Sequence, residues 1–364
     1  MGLQGKGFFI WKIPSCENGN AESIATQAVA AKYTHVLIKI ADGTSKSNVD
    51  TTKNIDYAPP VIAALKKRGI QVWGWHYIYG TDPVKEASTA VNRIKALGVD
   101  GYVIDAEMQF EYSGKNVTAT TFMTEYRKGL PTFPTALSTF RYPSYHSKFP
   151  FRAFLDRSDF SMPQCYWEQA HNPDAQLQKC VSEYRALAPS KPILPTGPTY
   201  KVGSWAPTAS DIKVFMNTAK NLNLPGVNFF SWDECRRDLN AIWTYIRDYQ
   251  WPTQTVEEFQ VRYINALNTR NPDVIAGLYN SLAVQITSSR AIQGIESIKN
   301  YYATLFSTVL PGAVFTLNGS SGTGITRHID WNATSSRGSV SNGSDTFGLV
   351  NDKISYHYSY FKVS

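Results

Sequence analysis

The chain is 364 residues long, 43% hydrophobic and 18% charged, a balance that suits a well-cored globular protein and, at this length, one large or two ordinary domains. Its net charge is +7, with 28 basic against 22 acidic residues in 1–254 and 8 against 7 in 255–364; the absence of a dense Lys/Arg run excludes a nucleic-acid footprint. No apolar run reaches transmembrane length, and the start MGLQGKGFFIWKIPS lacks a signal peptide's apolar core, so no membrane span is expected and the chain is placed in the cytoplasm by default, or outside by a non-classical or phage-type route.

Eight short apolar runs cross the first 235 residues: GFFIWKI (7–13), THVLIKIADG (34–43), QVWGWHYIYG (71–80), GYVIDAE (101–107), TALSTF (135–140), DFSMPQCYW (159–167), KPILPTG (191–197) and GVNFFSW (226–232). They do not alternate cleanly, which predicts strands buried on both faces and hence a parallel sheet. Amphipathic helices are predicted between several of them, at 21–33, 59–69, 83–98 and 209–222, with Gly69 and Gly98 at C′ positions. Eight such units over about 250 residues is the arithmetic of a (β/α)8, TIM-type barrel. No Gly-rich phosphate loop follows strand one, which counts against an open doubly wound sheet and a nucleotide cofactor.

After a helix at 236–251 and the segment PTQT, the pattern changes. Helices are predicted at 255–269, 272–279 and 294–306, then long antiparallel strands turning at Asn318–Gly319, Asn342–Gly343 and Asn351–Asp352. Helices followed by hairpins mark an α+β domain. The expected division is 1–252 and 253–364.

The fourth run carries the strongest chemical signal. Asp105 and Glu107 are two apart at its end, so they share a face, with Cα atoms about 6.5–7 Å apart. At the C-terminal mouth of a barrel, two such carboxyls cannot ionise independently, and one is kept protonated as an acid. That is equipment for cleaving a glycosidic bond; the plainer reading is a capping Asp105 beside a solvated Glu107. The 9 Trp, 21 Tyr and 18 Phe either grip a flat ligand or fill an aromatic core. Trp73, Trp75, Tyr77 and Tyr79 share one face of strand three and His76 the other; Trp73 is expected to pack against helices, and His76 to line the mouth as a hydrogen-bond donor. Cys16, Cys165, Cys180 and Cys235 have no metal-binding spacing, so no metal is expected; buried free thiols are the default and one disulfide remains open.

HVLIKIADGT (35–44), GWHYIYGTDPVKEAS (74–88) and GYVIDAE (101–107), in this order, resemble the glycoside hydrolase family 25 lysozymes, muramidases of bacterial cell-wall glycan. Lys39, Asp42–Gly43–Thr44, His76–Tyr77 and the Asp105/Glu107 pair fall on that family's second, third and fourth strands, and MPQCYW (162–167) is similar to its sixth. The resemblance implies a glycan substrate, with Glu107 as general acid/base and Asp105 orienting an N-acetyl group or stabilising charge. It adds Asp233 as a third acid. From the residues themselves, Trp75, Tyr77 and Tyr79 form either a sugar-stacking wall or ordinary packing, and Gln164, Tyr166 and Trp167 either bind sugar hydroxyls or pack at the strand end. Arg141 would hold an anionic group. The family's strand-one aspartate is missing from GFFIWKIP, which implies reduced activity, another sugar, or a barrel that only binds carbohydrate.

EEFQVRYINALNTRNPDVIAGLYNSLAVQI, IQGIESIKNYYATLF and DTFGLVNDKISYHYSYF resemble the SnoaL-like branch of the nuclear transport factor 2-like superfamily. This implies an α+β cone that binds a small hydrophobic ligand, performs isomerase or cyclase chemistry, or dimerises. Asp330 and His328 share a face there and are expected to be exposed. Tyr356, Tyr358 and Tyr360 form an aromatic row for packing or homodimer contact.

Overall fold

The computed structural model describes residues 3–112, 114–189, 191–251, 259–322, 325–350 and 353–364. The chain divides into two compact units, Met1–Thr253 and Gln254–Ser364. The expected linker at 252–255, the first turn of the helix expected at 255–269 and the Asn351–Asp352 turn lie wholly or partly outside the described residues.

In the first unit eight strands form a closed parallel barrel: β1 (Gly5–Ile10), β2 (His35–Asp42), β3 (Gln71–Ile78), β4 (Gly101–Ala106), β5 (Thr135–Phe140), β6 (Phe160–Gln164), β7 (Thr196–Pro198) and β8 (Gly226–Phe230). Each pairs with the next, and β8 returns to β1 with Phe8 opposite Phe229. A short strand, Ser45–Lys46, adds antiparallel to β2. Helices α1 (Ala21–Ala30), α2 (Ala58–Lys67), α3 (Pro83–Leu97), α4 (Lys115–Gly129), α5 (Phe151–Leu155), α6 (Pro173–Leu187) and α7 (Ala209–Asn221) lie between strands, and α8 (Trp232–Asp238) and α9 (Asn240–Asp248) follow β8. The single helix expected at 236–251 is thus two, broken at Leu239, whose backbone at φ −135° and ψ 48° is outside the helical region.

Strand alternation sorts the barrel residues into two layers. Phe9, Leu37, Trp73, Trp75, Val103, Ala136, Met162 and Leu194 form the inner cluster. Phe8, Ile10, Val36, Ile38, Val72, Tyr102 and Ile104 face the other way and pack with helix residues such as Ile24, Val61, Leu65, Ile94 and Phe122. Trp73 belongs to the inner layer, not to the helix-facing one expected for it. Its indole lies across its register partner Gly101, where a Cβ would meet the ring at 2.3 Å; only glycine leaves that room. At the opposite end from the mouth, the Lys6 ammonium donates to the carbonyls of Ile246 (2.6 Å), Arg247 (3.2 Å) and Tyr249 (2.6 Å). A cation at a helix C-terminus answers carbonyls that have no intrahelical partner, so this contact fastens α9 to β1.

The second unit contains α10 (Phe259–Asn268), α11 (Pro272–Ala276), β9 (Tyr279–Ile286), β10 (Ala291–Gln293), α12 (Ile295–Thr304), β11 (Val314–Ser321), β12 (Thr326–Ser335), β13 (Gly338–Val350) and β14 (Lys353–Tyr360). Its six-stranded sheet runs β10–β9–β14–β13–β12–β11, antiparallel except for β9–β14. The turns expected at Asn318–Gly319 and Asn342–Gly343 are instead inside β11 and β13. Gly319 sits at a register irregularity, and Gly343 faces Trp331, whose ring a Cβ would meet at 2.2 Å. Both Asn-Gly pairs therefore serve a bulge and a close ring contact, uses of glycine that a turn signal cannot be told from. No helix among the described residues is long and apolar enough to cross a membrane.

Candidate functional site

Asp105 ends β4 facing inward and is 8% exposed, while Glu107, just beyond, is half-buried. Gln164, at the end of β6, holds both: its Nε2 donates to Asp105 Oδ1 at 3.0 Å and to Glu107 Oε1 at 2.9 Å. Two oxygens that share one nitrogen stand within about 6 Å of each other, a separation used by paired carboxyls in glycoside cleavage. Burial raises the Asp105 pKa well above the ordinary carboxylate value, and the neighbouring Glu107 charge raises it further; the Lys39 ammonium opposes both. Burial also raises Glu107, against the pull of the Gln164 amide.

Around this pair the strand ends supply rings and one cation. Lys39 bonds Asp42 at 2.6 Å and lies 4.9 Å from the Trp75 ring and 5.7 Å from the Trp11 ring. Burial works against the Asp42 charge, but hydrogen bonds from Lys39 and the Tyr79 hydroxyl outweigh it and lower its pKa. Trp75 Nε1 donates to Ile10 O at 3.0 Å, and Tyr77 OH to Gln109 Oε1 at 2.8 Å. Tyr77 and Tyr79 pack edge to face. Phe230 touches Phe9, Trp11, Trp75, Tyr166 and Tyr200. Asp105, Glu107, Lys39, Asp42, Trp75, Tyr77, Tyr79, Gln164 and Tyr166 are therefore brought to one end of the barrel. Phe230, Trp11 and Tyr200 join them; Phe230 and Tyr200 are not among the expected residues, and a large ring as the last inward residue of β8 is the available signal for Phe230.

Four expected residues are held in other contacts. His76 faces away from the barrel interior, fully buried between Tyr102 OH (2.9 Å) and Gly43 O (2.7 Å); strand alternation puts it on the face opposite Trp75 and Tyr77. Burial lowers its pKa to about 4. Trp167 is buried in the helix-facing core against Phe215. Arg141 spends its guanidinium on the Tyr166 carbonyl and the Gln176 side chain of α6. Asp233 lies buried in the first turn of α8, with Ser231 and the Trp11 backbone as its polar neighbours. β8 ends at Phe230, so Asp233 is on the helix that follows and not on a strand end.

The second unit holds a buried polar chain. Tyr263 OH and Tyr302 OH are 2.9 Å apart, Tyr302 OH and Tyr279 OH 2.8 Å, and Tyr279 OH lies 2.7 Å from His357 Nδ1. His357 Nε2 is 3.3 Å from Asp345 Oδ1, near enough for an ion pair but not aligned as a hydrogen bond, and Trp331 Nε1 donates to Asp345 Oδ2 at 2.9 Å. With the His357 proton on Nε2, each phenol donates to the next acceptor and the chain runs in one direction. Burial raises the pKa of Tyr263 and Tyr279 well above the ordinary phenol value, and the Asp345 charge adds to it. Gln285 is the register partner of His357, is fully buried, and neither end of its amide has a protein partner. A buried amide left unpaired costs about 1–3 kcal/mol and calls for an explanation. By contrast Asp330 is exposed, as expected, while His328, 3.4 Å from it, is half-buried and bonded to Thr346 Oγ1 at 2.9 Å.

Sequence reasoning missed Asp345, His357, Gln285 and the three phenols. The signal was present in SYHYSY: the tyrosines and His357 must face opposite ways. Tyr356, Tyr358 and Tyr360 are the outward set, each 43–44% exposed, and His357 and Ser359 turn inward.

No group of three or more His, Cys, Asp or Glu that could hold a metal ion occurs among the described residues. No family model matches the chain, and no curated protein matches it. Among solved structures, the chain is similar to an NTF2-like protein of unknown function from Cytophaga hutchinsonii, at 17% identity and a TM-score of 0.26, over 31% of this chain and 95% of that one. It is similar to a candidate ketosteroid isomerase from Kribbella flavida at 15% identity and a TM-score of 0.26, over 29% of this chain and 76% of the other. A candidate polyketide cyclase from Sinorhizobium meliloti matches at 13% identity and a TM-score of 0.25, over 28% and 93%.

Proposed function

We propose that the second unit, a SnoaL-like cone, binds a small, largely apolar molecule bearing a carbonyl group and moves a proton on it. The observation that carries this reading is the Asp345–His357–Tyr279 chain inside an apolar shell, beside the unpartnered Gln285 amide. Proton transfer next to a carbonyl needs a base and a donor for the oxygen on which charge develops. His357, beside Asp345, is the base through Nδ1 once the ligand has taken the place of the Tyr279 hydroxyl there. The displaced Tyr279 phenol, kept protonated by burial, donates to the oxygen on which charge develops. Tyr302 and Tyr263 go on donating along the chain behind it, and Gln285 orients the ligand. The test is exchange of α-hydrogens of small hydrophobic ketones in D2O, followed by NMR. The full chain should exceed buffer, and Asp345→Asn should lower the rate by about 10²–10⁴-fold, the usual contribution of a positioned acid or base. Exchange no faster than in buffer removes the reading.

A second reading is favoured by one observation, the Gln164 amide shared between Asp105 and Glu107. Here the first unit is a (β/α)8 barrel whose mouth binds or cleaves a glycan of the bacterial cell wall. Glu107 is the acid/base and Asp105 the group that orients substrate or stabilises charge, while the rings of Tyr77, Tyr166 and Phe230 meet sugar faces. Release of reducing sugar from peptidoglycan, abolished in Glu107→Gln, supports cleavage. Retention on wall sacculi without sugar release leaves carbohydrate binding alone.

A further inference from the structure

Cys165 follows Gln164 directly at the end of β6, and Cys180 faces it from α6. Their Sγ atoms are 2.6 Å apart, and both are at most 1% exposed. That separation lies well inside the contact distance of two unbonded sulfurs and just outside a bond of about 2.05 Å. The same loop and helix are already tied by Arg141, which bonds the Tyr166 carbonyl and Gln176 of α6. The backbone on both sides is therefore held where a cross-link would put it. Cys235, by comparison, points its thiol at the Leu239 carbonyl, 3.8 Å away.

We infer that Cys165 and Cys180 form a reversible redox pair, closed as a disulfide in an oxidising environment and open as two thiols in a reducing one. Closure occurs by exchange with a small disulfide. One thiolate attacks the small disulfide and releases one of its halves as a thiol; the second cysteine then displaces the other half. The protein loses two electrons and two protons, and the small disulfide is reduced to two thiols. The bond staples the strand end that carries Gln164 to α6. Burial holds the Cys180 thiol well above its ordinary pKa and both sulfurs are closed to solvent, so exchange proceeds through local opening of this corner.

The experiment incubates the full chain with excess oxidised glutathione in sub-denaturing urea, quenches with acid, and digests it without reduction. The expected result is a peptide pair joined through Cys165 and Cys180, lighter by two hydrogens. Only two of the four cysteines should then titrate in denaturant, against all four after reduction. Four titratable thiols in the oxidised sample overturn the inference. So does a cross-link joining any other pair, or a glutathione adduct on Cys165 that never resolves to the internal bond.

Discussion

Asp105 and Glu107 accept hydrogen bonds from the same nitrogen, Gln164 Nε2, at 3.0 and 2.9 Å. Nothing else in the described mouth spans the pair in this way, and the contact sets how the two carboxyls share charge. Both have pKa values raised in the folded chain, so folded protein binds more protons than unfolded protein above the ordinary carboxylate range of about 4. The stability these groups contribute is fully present below that range and is lost as pH rises through their raised values. The stability of the parent minus that of Asp105→Asn, from urea unfolding between pH 4 and 8, should show this decline, the two chains sharing every other titrating group. An unchanged slope in the variant would place the coupling elsewhere.

Two buried histidines act in the opposite direction. Burial lowers the pKa of both His35 and His76 to about 4. Below about 6.5 the unfolded chain takes up protons that the folded chain refuses, so stability present above pH 6.5 is lost as pH falls towards 4. At 1.36 kcal/mol per unit the loss is about 3 kcal/mol for each ring. Replacing His76 by Phe should remove its share of the acid slope while sacrificing the contacts to Tyr102 and Gly43; NMR titration of the ring nitrogens reports each pKa directly.

Gln285→Leu separates a ligand-facing amide from a structural one. In the free protein the amide has no partner, and replacing it with an apolar group of similar size should stabilise folding by about 1–2 kcal/mol. Ligand-dependent stabilisation should fall in the same variant. Destabilisation of the free protein, read from denaturant midpoints, would mean that the amide is paired internally.

Gly343→Ala tests the ring contact in β13. The new methyl would stand 2.2 Å from the Trp331 ring, and overpacking of this kind costs about 1–3 kcal/mol. Because Trp331 also donates to Asp345, the substitution should lower proton-exchange activity as well as the melting temperature. A melting temperature equal to the parent's would show that the ring can move aside freely.

Much of this architecture is written locally. The eight apolar runs of the first 235 residues became the eight strands of a closed parallel barrel, with shifts at the ends: GFFIWKI begins earlier, at Gly5, and KPILPTG is paired as a strand only over Thr196–Pro198. Continuous apolarity marks a strand buried on both sides wherever it falls. The Asp105/Glu107 relationship was equally legible, since residues two apart in a strand share a side. Gln164 was singled out from MPQCYW, but its role as a bridge was not, because it reaches the pair from 59 residues away along the chain.

The sequence by itself determined which side chains travel together: Trp75 with Tyr77, His76 against them, His357 against its flanking tyrosines. Only the tertiary structure decided which of each pair of faces is dry. His76 went behind the barrel wall, and His357 went into the interior while Tyr356, Tyr358 and Tyr360 stayed out. Period is a property of one strand, whereas burial is a property of the layers stacked on it. The shifted pKa values and the unpaired Gln285 amide follow from burial and cannot be read from one strand alone.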